Sequence, residues 1–389
     1  MMKIYDVIII GAGSVGVPAA LSMAQNKLRV LVIDAMPCVG QGQNKKAIGG
    51  IRASHSDSGK ISICQRSIEI FSTWKELHGN DIGWMQNGYS FPAYTSVDAQ
   101  KLKDLMKIQK SFNLNIEWLS PEDFLEIVPG INKNNLQGST YSPKDGSASP
   151  LLAINAFYFK SIEYGALYRF NEKVKAITIL NDKEIKIKTD KDEYCTKKLI
   201  NAAGNYANSI GKLINLDFPV EPDSHEGAIT EAVQRFFGPM IVDLRPLKDH
   251  ATQDSANFYF YQNNEGQMIF CLTPKHLMKG NDSESTSIFL PQVAKRMVTL
   301  FPKLANLKVR RTWRGQYPMT PDGFPIVGET REFPNFINAI GMCGQGYMMG
   351  PGLGELLSRV VTCELTEDDI DVLKHFNLYR NFSGAEQFK

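Results

Sequence analysis

The 389-residue sequence predicts an α/β protein: a discontinuous domain on a largely parallel sheet, joined to an α+β domain on a mostly antiparallel sheet. Three observations carry that expectation. A fully apolar, β-branched run, Val7-Ile8-Ile9-Ile10, leads straight into Gly11-Ala12-Gly13-Ser14-Val15-Gly16. Strand-then-glycine segments return near Leu199 to Gly204 and near Phe336 to Gly341. From about Pro219 to Trp313 the pattern is a series of strand-like segments instead.

Val7 to Ile10 has the composition of a central parallel strand buried on both faces. The start of the chain, Met1-Met2-Lys3 and an apolar stretch, resembles a secretory leader only superficially. Asp6 interrupts it and Gly11 and Gly13 follow at once, so it reads as a strand entering a loop. Val17 to Gln25 has helical character, and Arg29 to Ile33 is a second strand ending at Asp34. A right-handed crossover makes the two strands parallel neighbours. Lys60 to Leu77 reads as an amphipathic helix, with Ile63, Ile68, Phe71 and Trp74 near a 3.6-residue period. Asp98 to Lys110 and Pro121 to Ile127 are further helices. After a turn at Asn181-Asp182, Ile185 to Lys188 alternates as a strand, and Leu199 to Ala203 is again a buried one. Phe258 to Tyr261 and Met268 to Leu272 are strands, with a helix from Pro291 to Leu300. The chain then gives strand Phe336 to Ile340, a glycine-dense loop from Gly341 to Gly352, and a helix from Leu353 to about Val361. This divides it into residues 1–85, 145–215 and 325–389 for the first domain and 86–144 and 216–324 for the second.

A hydrophobic share of 43% with 22% charged residues is ordinary for a globular enzyme, and a net charge of +2 gives no reason to expect nucleic acid as partner. Six scattered cysteines without a C-x-x-C pair suggest neither a disulfide framework nor zinc, and reduced thiols in a cytoplasmic protein are the simple reading. No apolar run is long enough for a transmembrane segment.

The spacing Gly11-x-Gly13-x-x-Gly16 between strand and helix, with Asp34 closing the next strand, carries a specific chemistry. Gly11 permits a tight turn, Gly13 lets backbone approach a pyrophosphate, and Gly16 lets the helix sit against the sheet. The helix N-terminus offers unpaired N–H groups to phosphate, and Asp34 accepts hydrogen bonds from a ribose diol. Ser14, Val15 and Ala35 complete this Rossmann-like cradle. Ala203 and Gly204, opening a later helix, and Gly346, Tyr347, Met348 and Met349, in the terminal loop, are further candidate cofactor residues. A helix N-terminus aimed by that loop suits the negative charge a flavin gains on reduction.

With these motifs goes a resemblance. Gly49-Gly50-Ile51-Arg52, Asp145-Gly146, Asn201-Ala202-Ala203-Gly204, Trp313-Arg314-Gly315 and Thr320-Pro321-Asp322-Gly323-x-Pro325-Ile326-Val327-Gly328 stand in order along the chain. Together they resemble the D-amino-acid oxidase superfamily, in particular the branch of sarcosine oxidase and the L-proline dehydrogenase β subunit. The resemblance implies FAD, with Gly49, Gly50 and Ile51 beside the isoalloxazine ring and Val174 at adenine. It implies hydride transfer from the α-carbon of an amino acid or N-alkyl amino acid to flavin N5, giving the imine. Arg52 stands where sarcosine oxidases bind the substrate carboxylate. Gly315 replaces the cysteine that bonds flavin covalently in monomeric sarcosine oxidase, so non-covalent FAD is expected. Met348 replaces a lysine near the carboxylate, and Tyr317 the arginine of glycine and D-amino-acid oxidases. These departures resemble the dehydrogenase β-subunit type, which works with a partner subunit or another electron acceptor.

Arg52, Tyr259 and Met348 are therefore the candidate catalytic residues, and Lys45 with Lys46 are candidate contacts to flavin or phosphate oxygens. Tyr259 and Tyr261 alternate on a strand able to roof a flavin, although sheet packing explains them equally. His225 reads first as a satisfied structural histidine. Two other functions compete: oxidation of a hydroxy acid or glycerol phosphate, and a flavin-relay subunit of a larger complex.

Overall fold

The strand Ile4–Ile10 sits inside an eight-stranded sheet in a computed structural model that describes residues 4–181, 184–246, 255–274 and 279–383. Parallel neighbours flank it: Val30–Ile33 on one side and Glu193–Asn201 on the other. The sheet continues outward through Leu167–Arg169 at one edge and through Phe336–Ile340 and Ile326–Glu329 at the other. Val174–Asn181 and Glu184–Thr189 form an antiparallel extension on Glu193–Asn201. The turn expected at Asn181-Asp182 lies in part outside the described residues.

The two-residue period of the strand decides what each side chain meets. Val7 and Ile9 enter a core shared with the helices Gly16–Gln25, Ser58–His78, Pro150–Glu163 and Gly346–Thr362. Ile8 and Ile10 point the other way, into a core with Ile177, Ile185, Ile187 and Phe218. Both faces are covered, so the strand needs no polar alternation.

A second eight-stranded sheet runs in the order Val309–Met319, Glu221–Ala232, Gln267–Pro274, Ser255–Gln262, Met240–Asp243, Tyr89–Ala93, Gly138–Ser142, Glu117–Leu119. Among the described residues, only the pairing of Met240–Asp243 with Tyr89–Ala93 is parallel in this sheet. Phe258, Phe260, Phe270 and Leu272 turn to one face and bury the helix Phe289–Leu300. Tyr259, Tyr261 and Cys271, at the alternate positions, turn to the opposite face, toward the first sheet.

Two differences from the sequence expectation have physical causes. The last long helix begins at Gly346, seven residues before the expected Leu353, because its glycines are packing positions rather than loop residues. A Cβ at Gly350 would lie 1.9 Å from the Ser14 carbonyl oxygen, and one at Gly352 would lie 2.4 Å from that of Ile63. The helix Pro150–Glu163 had no counterpart among the expectations, because its apolar residues fall on every side and leave no 3.6-residue period.

Candidate active site

The C-terminal ends of the parallel strands and the inner face of the second sheet enclose a cleft of about 800 Å³, within the size range of ligand sites. Its floor is made by three turns from distant parts of the chain. Gly11 takes φ +112°, and a Cβ there would meet the Ala202 carbonyl oxygen at 2.4 Å, so the first turn is wedged against the second. A Cβ at Gly13 meets nothing within 4 Å, which leaves open space over its backbone. The third turn contributes Gly341, Met342 and Gly344. Asp34 lines the cleft, and its carboxylate accepts hydrogen bonds from Ala12 N at 2.6 Å and Met36 N at 2.8 Å. Burial raises its pKa, and those two N–H groups oppose the rise.

Two helix N-termini open on this floor. Val15 caps Gly16–Gln25 and Gln345 caps Gly346–Thr362, and neither donates or accepts a side-chain capping bond. Neither first turn contains an acidic residue. Both therefore present free N–H groups and the positive end of the helix dipole to a ligand. Three buried polar atoms of lining residues, Asn205 Oδ1, His225 Nδ1 and Tyr347 Oη, have no hydrogen-bond partner among the described residues. An elongated cradle with a ribose acceptor, two anion-receptive helix ends and unpaired polar atoms is chemically suited to a dinucleotide.

Strand register brings the roof together. Cys271 pairs with Tyr259 on one side and Gly227 on the other, while His225 pairs with Gly315 and Asp223 with Tyr317. All of these project from the same face of the sheet. Tyr259 Oη and Tyr317 Oη are 2.5 Å apart. The His225 ring stacks on Tyr317 with centroids 3.9 Å apart and 20° between planes, and its Nε2 lies 3.4 Å from the Asp223 carboxylate. Burial pushes both tyrosines well above the ordinary phenol range, so they remain protonated and act as donors. Burial also pushes the Cys271 thiol up to about 11, against hydrogen bonds from Tyr259 and Tyr317. Tyr261 Oη donates to the Ile48 carbonyl at 2.7 Å, tying the roof to the segment that precedes Gly49.

Most of the residues expected from the sequence come together here. Gly11, Gly13, Ser14, Val15, Asp34, Ala35, Gly49, Gly50, Val174, Ala203, Gly204, Tyr259, Gly315, Gly346, Tyr347 and Met348 all line the cleft. Gly16, Lys45, Ile51 and Met349 do not. Gly16 seats the helix, Ile51 and Met349 are core residues, and Lys45 reaches out to Gln41. Lys46 does line the cleft, with its Nζ bonded to Ser283 at 3.0 Å and to Gln316 at 3.4 Å.

Arg52 is not among the residues that line the cleft. Its guanidinium donates to the Ser54 carbonyl and lies 5.5 Å from the Phe91 ring centroid and 6.0 Å from that of Tyr89. Tyr89, on the near side, is the residue that lines the cleft. Gly50 and Ile51 pair with Ser147 and Gly146, which brings Arg52 beside Asp145. Asp145 accepts from Ala53 N at 3.0 Å and Ser54 Oγ at 3.2 Å, yet burial pushes its pKa up to about 7. The folded chain then holds a proton that the unfolded chain has released, so this group's contribution to stability falls as pH rises from the free-carboxylate range toward 7. Asp145→Asn is expected to remove that fall. Urea unfolding of both proteins at about pH 5 and about pH 8 should show the variant gaining on wild type at the higher pH, and a constant difference would reject the assignment.

Asp223, His225, Gly227, Cys271, Trp313 and Tyr317 join the site without being candidates from sequence, where His225 reads as structural and Tyr317 as a replacement for an arginine. The signal available was alternation in Asp223 to Gly227 and Trp313 to Tyr317, which identifies a face only once its neighbours are known.

The fold and the cleft are those of a protein built to hold a dinucleotide, with the second sheet roofing one end of the site. A family profile described as FAD-dependent oxidoreductase (DAO) matches residues 6–360, and the chain belongs to that family. It is similar to the mitochondrial dimethylglycine dehydrogenase of Homo sapiens, 24% identical over 91% of this chain and 42% of that protein. It is also similar to sarcosine oxidase subunit beta of an Arthrobacter species, 24% identical over 92% of this chain and 87% of that one. The crystal structure of L-proline dehydrogenase from P. horikoshii superimposes with a TM-score of 0.88, at 29% identity and 98% coverage of both chains. The chain spans about two fifths of the length of the dimethylglycine and sarcosine dehydrogenases it matches.

Proposed function

We propose that the chain oxidises an amino acid or N-alkyl amino acid, of the sarcosine, proline or glycine type, to the imine with non-covalent FAD. The observation that carries this reading is the roof constellation of His225 with Asp223 behind it, beside the Tyr259–Tyr317 hydroxyl pair. FAD in the cleft supplies the two-electron acceptor for a hydride leaving the carbon next to nitrogen. The floor turns and Asp34 would hold its phosphates and ribose, and the uncapped N-terminus of Gly346–Thr362 would face its electron-accepting end.

The protein's own part is positioning and proton handling. An amine releases hydride from its α-carbon only as the neutral base, so a substrate arriving as ammonium must first lose a proton. His225 Nδ1, buried and unpaired, is the group able to take it, with the Asp223 carboxylate stabilising the imidazolium that forms. Tyr259 and Tyr317 are kept protonated by burial; one O–H serves the bond between them and the other donates to a substrate carboxylate. They are proposed for this role in place of Arg52, which lies outside the cleft. Amine-acting enzymes among the similar proteins support the substrate class.

Anaerobic mixing with L-proline, sarcosine and dimethylglycine is expected to bleach the flavin, whereas lactate and glycerol 3-phosphate should leave it oxidised. Bleaching by the hydroxy compounds alone would overturn the amine reading. Gly315 offers no nucleophile, so acid precipitation is expected to release all the flavin into the supernatant; yellow colour retained in the pellet would reject non-covalent binding.

A further inference from the structure

Cys271 is buried, lines the cleft, and lies between Tyr259 on one neighbouring strand and Gly227 on the other. Gly227 has no side chain to meet it. On the other side both Tyr259 and Tyr317 hydrogen-bond to the sulfur. The S–H itself makes a long 4.0 Å contact with the Leu272 carbonyl, so the sulfur meets the phenols as an acceptor. The two phenol oxygens, 2.5 Å apart, carry two hydrogens between them. One hydrogen lies in the bond joining the pair. For the other, two acceptors are at hand: the Cys271 sulfur, or an oxygen brought in by a ligand. A thiol sulfur is a weak acceptor and a carboxylate oxygen a strong one. Burial keeps the thiol protonated, which keeps the sulfur weak.

We propose that Cys271 is a positioning residue for carboxylate recognition: its sulfur holds the second phenol O–H in place as a weak acceptor that a substrate carboxylate readily displaces. The inference rests on the proposed oxidation of an amine that carries a carboxylate. The His225 ring stacks on Tyr317 with centroids 3.9 Å apart, so the proton acceptor and the phenol donors are neighbours. An amine and a carboxylate on the same carbon match that closeness. Sulfur is the suitable atom because it satisfies the phenol without competing for it. An oxygen in its place would hold the same hydrogen more firmly and make the substrate work to release it. A thiol that merely filled space would give the reverse order of variants. Serine, close to cysteine in shape, would then be tolerated better than alanine, which leaves a cavity.

The test compares FAD-loaded wild type, Cys271→Ser and Cys271→Ala. Anaerobic stopped-flow flavin reduction by L-proline and sarcosine gives the half-saturating concentration and the limiting rate. Calorimetric titration with cyclopentanecarboxylate, which has no amine to oxidise, reads carboxylate binding alone. Cys271→Ser is expected to raise both the half-saturating concentration and the carboxylate Kd by about tenfold, the worth of one hydrogen bond to a charged group. Its limiting rate should stay that of wild type, because ground state and transition state lose the same contact. Cys271→Ala should bind both ligands within about twofold of wild type, since the phenol keeps its hydrogen free for the carboxylate. Alanine as harmful as serine, serine indistinguishable from wild type, or a serine variant slowed only in its limiting rate overturns the proposal. If hydroxy acids reduce the flavin and amines do not, the amine reading falls alone. The same order of variants on the hydroxy acid then upholds the role of Cys271, and any other order overturns it. Failure of every carboxylate to bind overturns both.

Discussion

A Gly16→Val variant is expected to emerge from purification colourless, carrying no flavin. A Cβ at Gly16 would stand 1.9 Å from the Gly11 carbonyl oxygen, so the turn and the helix Gly16–Gln25 cannot both keep their places. The Gly11 turn is itself packed close to the Ala202 carbonyl, where an added Cβ would lie 2.4 Å from the oxygen. The helix must therefore swing outward and carry its free N–H groups away from any phosphate. Hydrogen bonds to a charged group are worth about 1.5–3 kcal/mol each, so losing two of them weakens binding by more than about a hundredfold. Asp34→Ala is the milder companion, because it removes an acceptor without moving backbone into backbone. It is expected to keep a wild-type circular dichroism spectrum while FAD affinity falls about tenfold or more. Fluorescence titration of the FAD-free proteins measures both effects. Stoichiometric flavin in a folded Gly16→Val protein would mean that the dinucleotide lies elsewhere.

His225→Gln is expected to slow anaerobic flavin reduction by about 10²–10³-fold, the usual cost of losing a positioned acid–base group. Glutamine can retain the contact with Asp223 and the packing on Tyr317, but it cannot accept a proton. Tyr317→Phe should cost less, about tenfold, since it breaks the 2.5 Å bond to Tyr259 and leaves the proton acceptor in place. Stopped-flow bleaching with saturating amine separates the two, and raising the pH should rescue His225→Gln partly by delivering the substrate already neutral. A His225→Gln protein reducing its flavin at the wild-type rate would remove the histidine from the chemistry.

Those expectations rest on a site that was only half legible in sequence. The floor could be read because its determinants are local. Val7 to Ile10, the glycine spacing and Asp34 lie within one βαβ unit, where each residue's task follows from turn geometry and helix ends. The roof could not be read, because its determinants are relations between strands. Nothing in Asp223-Ser224-His225 announces that Tyr317 will lie across the sheet from it, and Cys271 becomes a site residue only through its register with Tyr259. Arg52 shows the same dependence on strand pairing. Its neighbourhood in sequence resembles a substrate-binding segment, and its place beside Asp145, with the guanidinium 6.0 Å from the Tyr89 ring centroid, follows from the pairing of Gly50-Ile51 with Gly146-Ser147. The helix Pro150–Glu163 is not legible in sequence because surface composition normally supplies the polar half of the pattern, and here it does not.

The three turns that close the floor come from Gly11, from Ala203 and from Gly344, on strands that are neighbours in space and hundreds of residues apart in sequence. During synthesis the floor therefore stays open until Phe336–Ile340 and the turn that follows it have left the ribosome. Such distant pairings are slow to form and exposed to aggregation meanwhile. Maturation in the cell should accordingly depend on chaperone capacity and on flavin supply at the moment Phe336–Ile340 arrives, more than on how fast the early segments are translated.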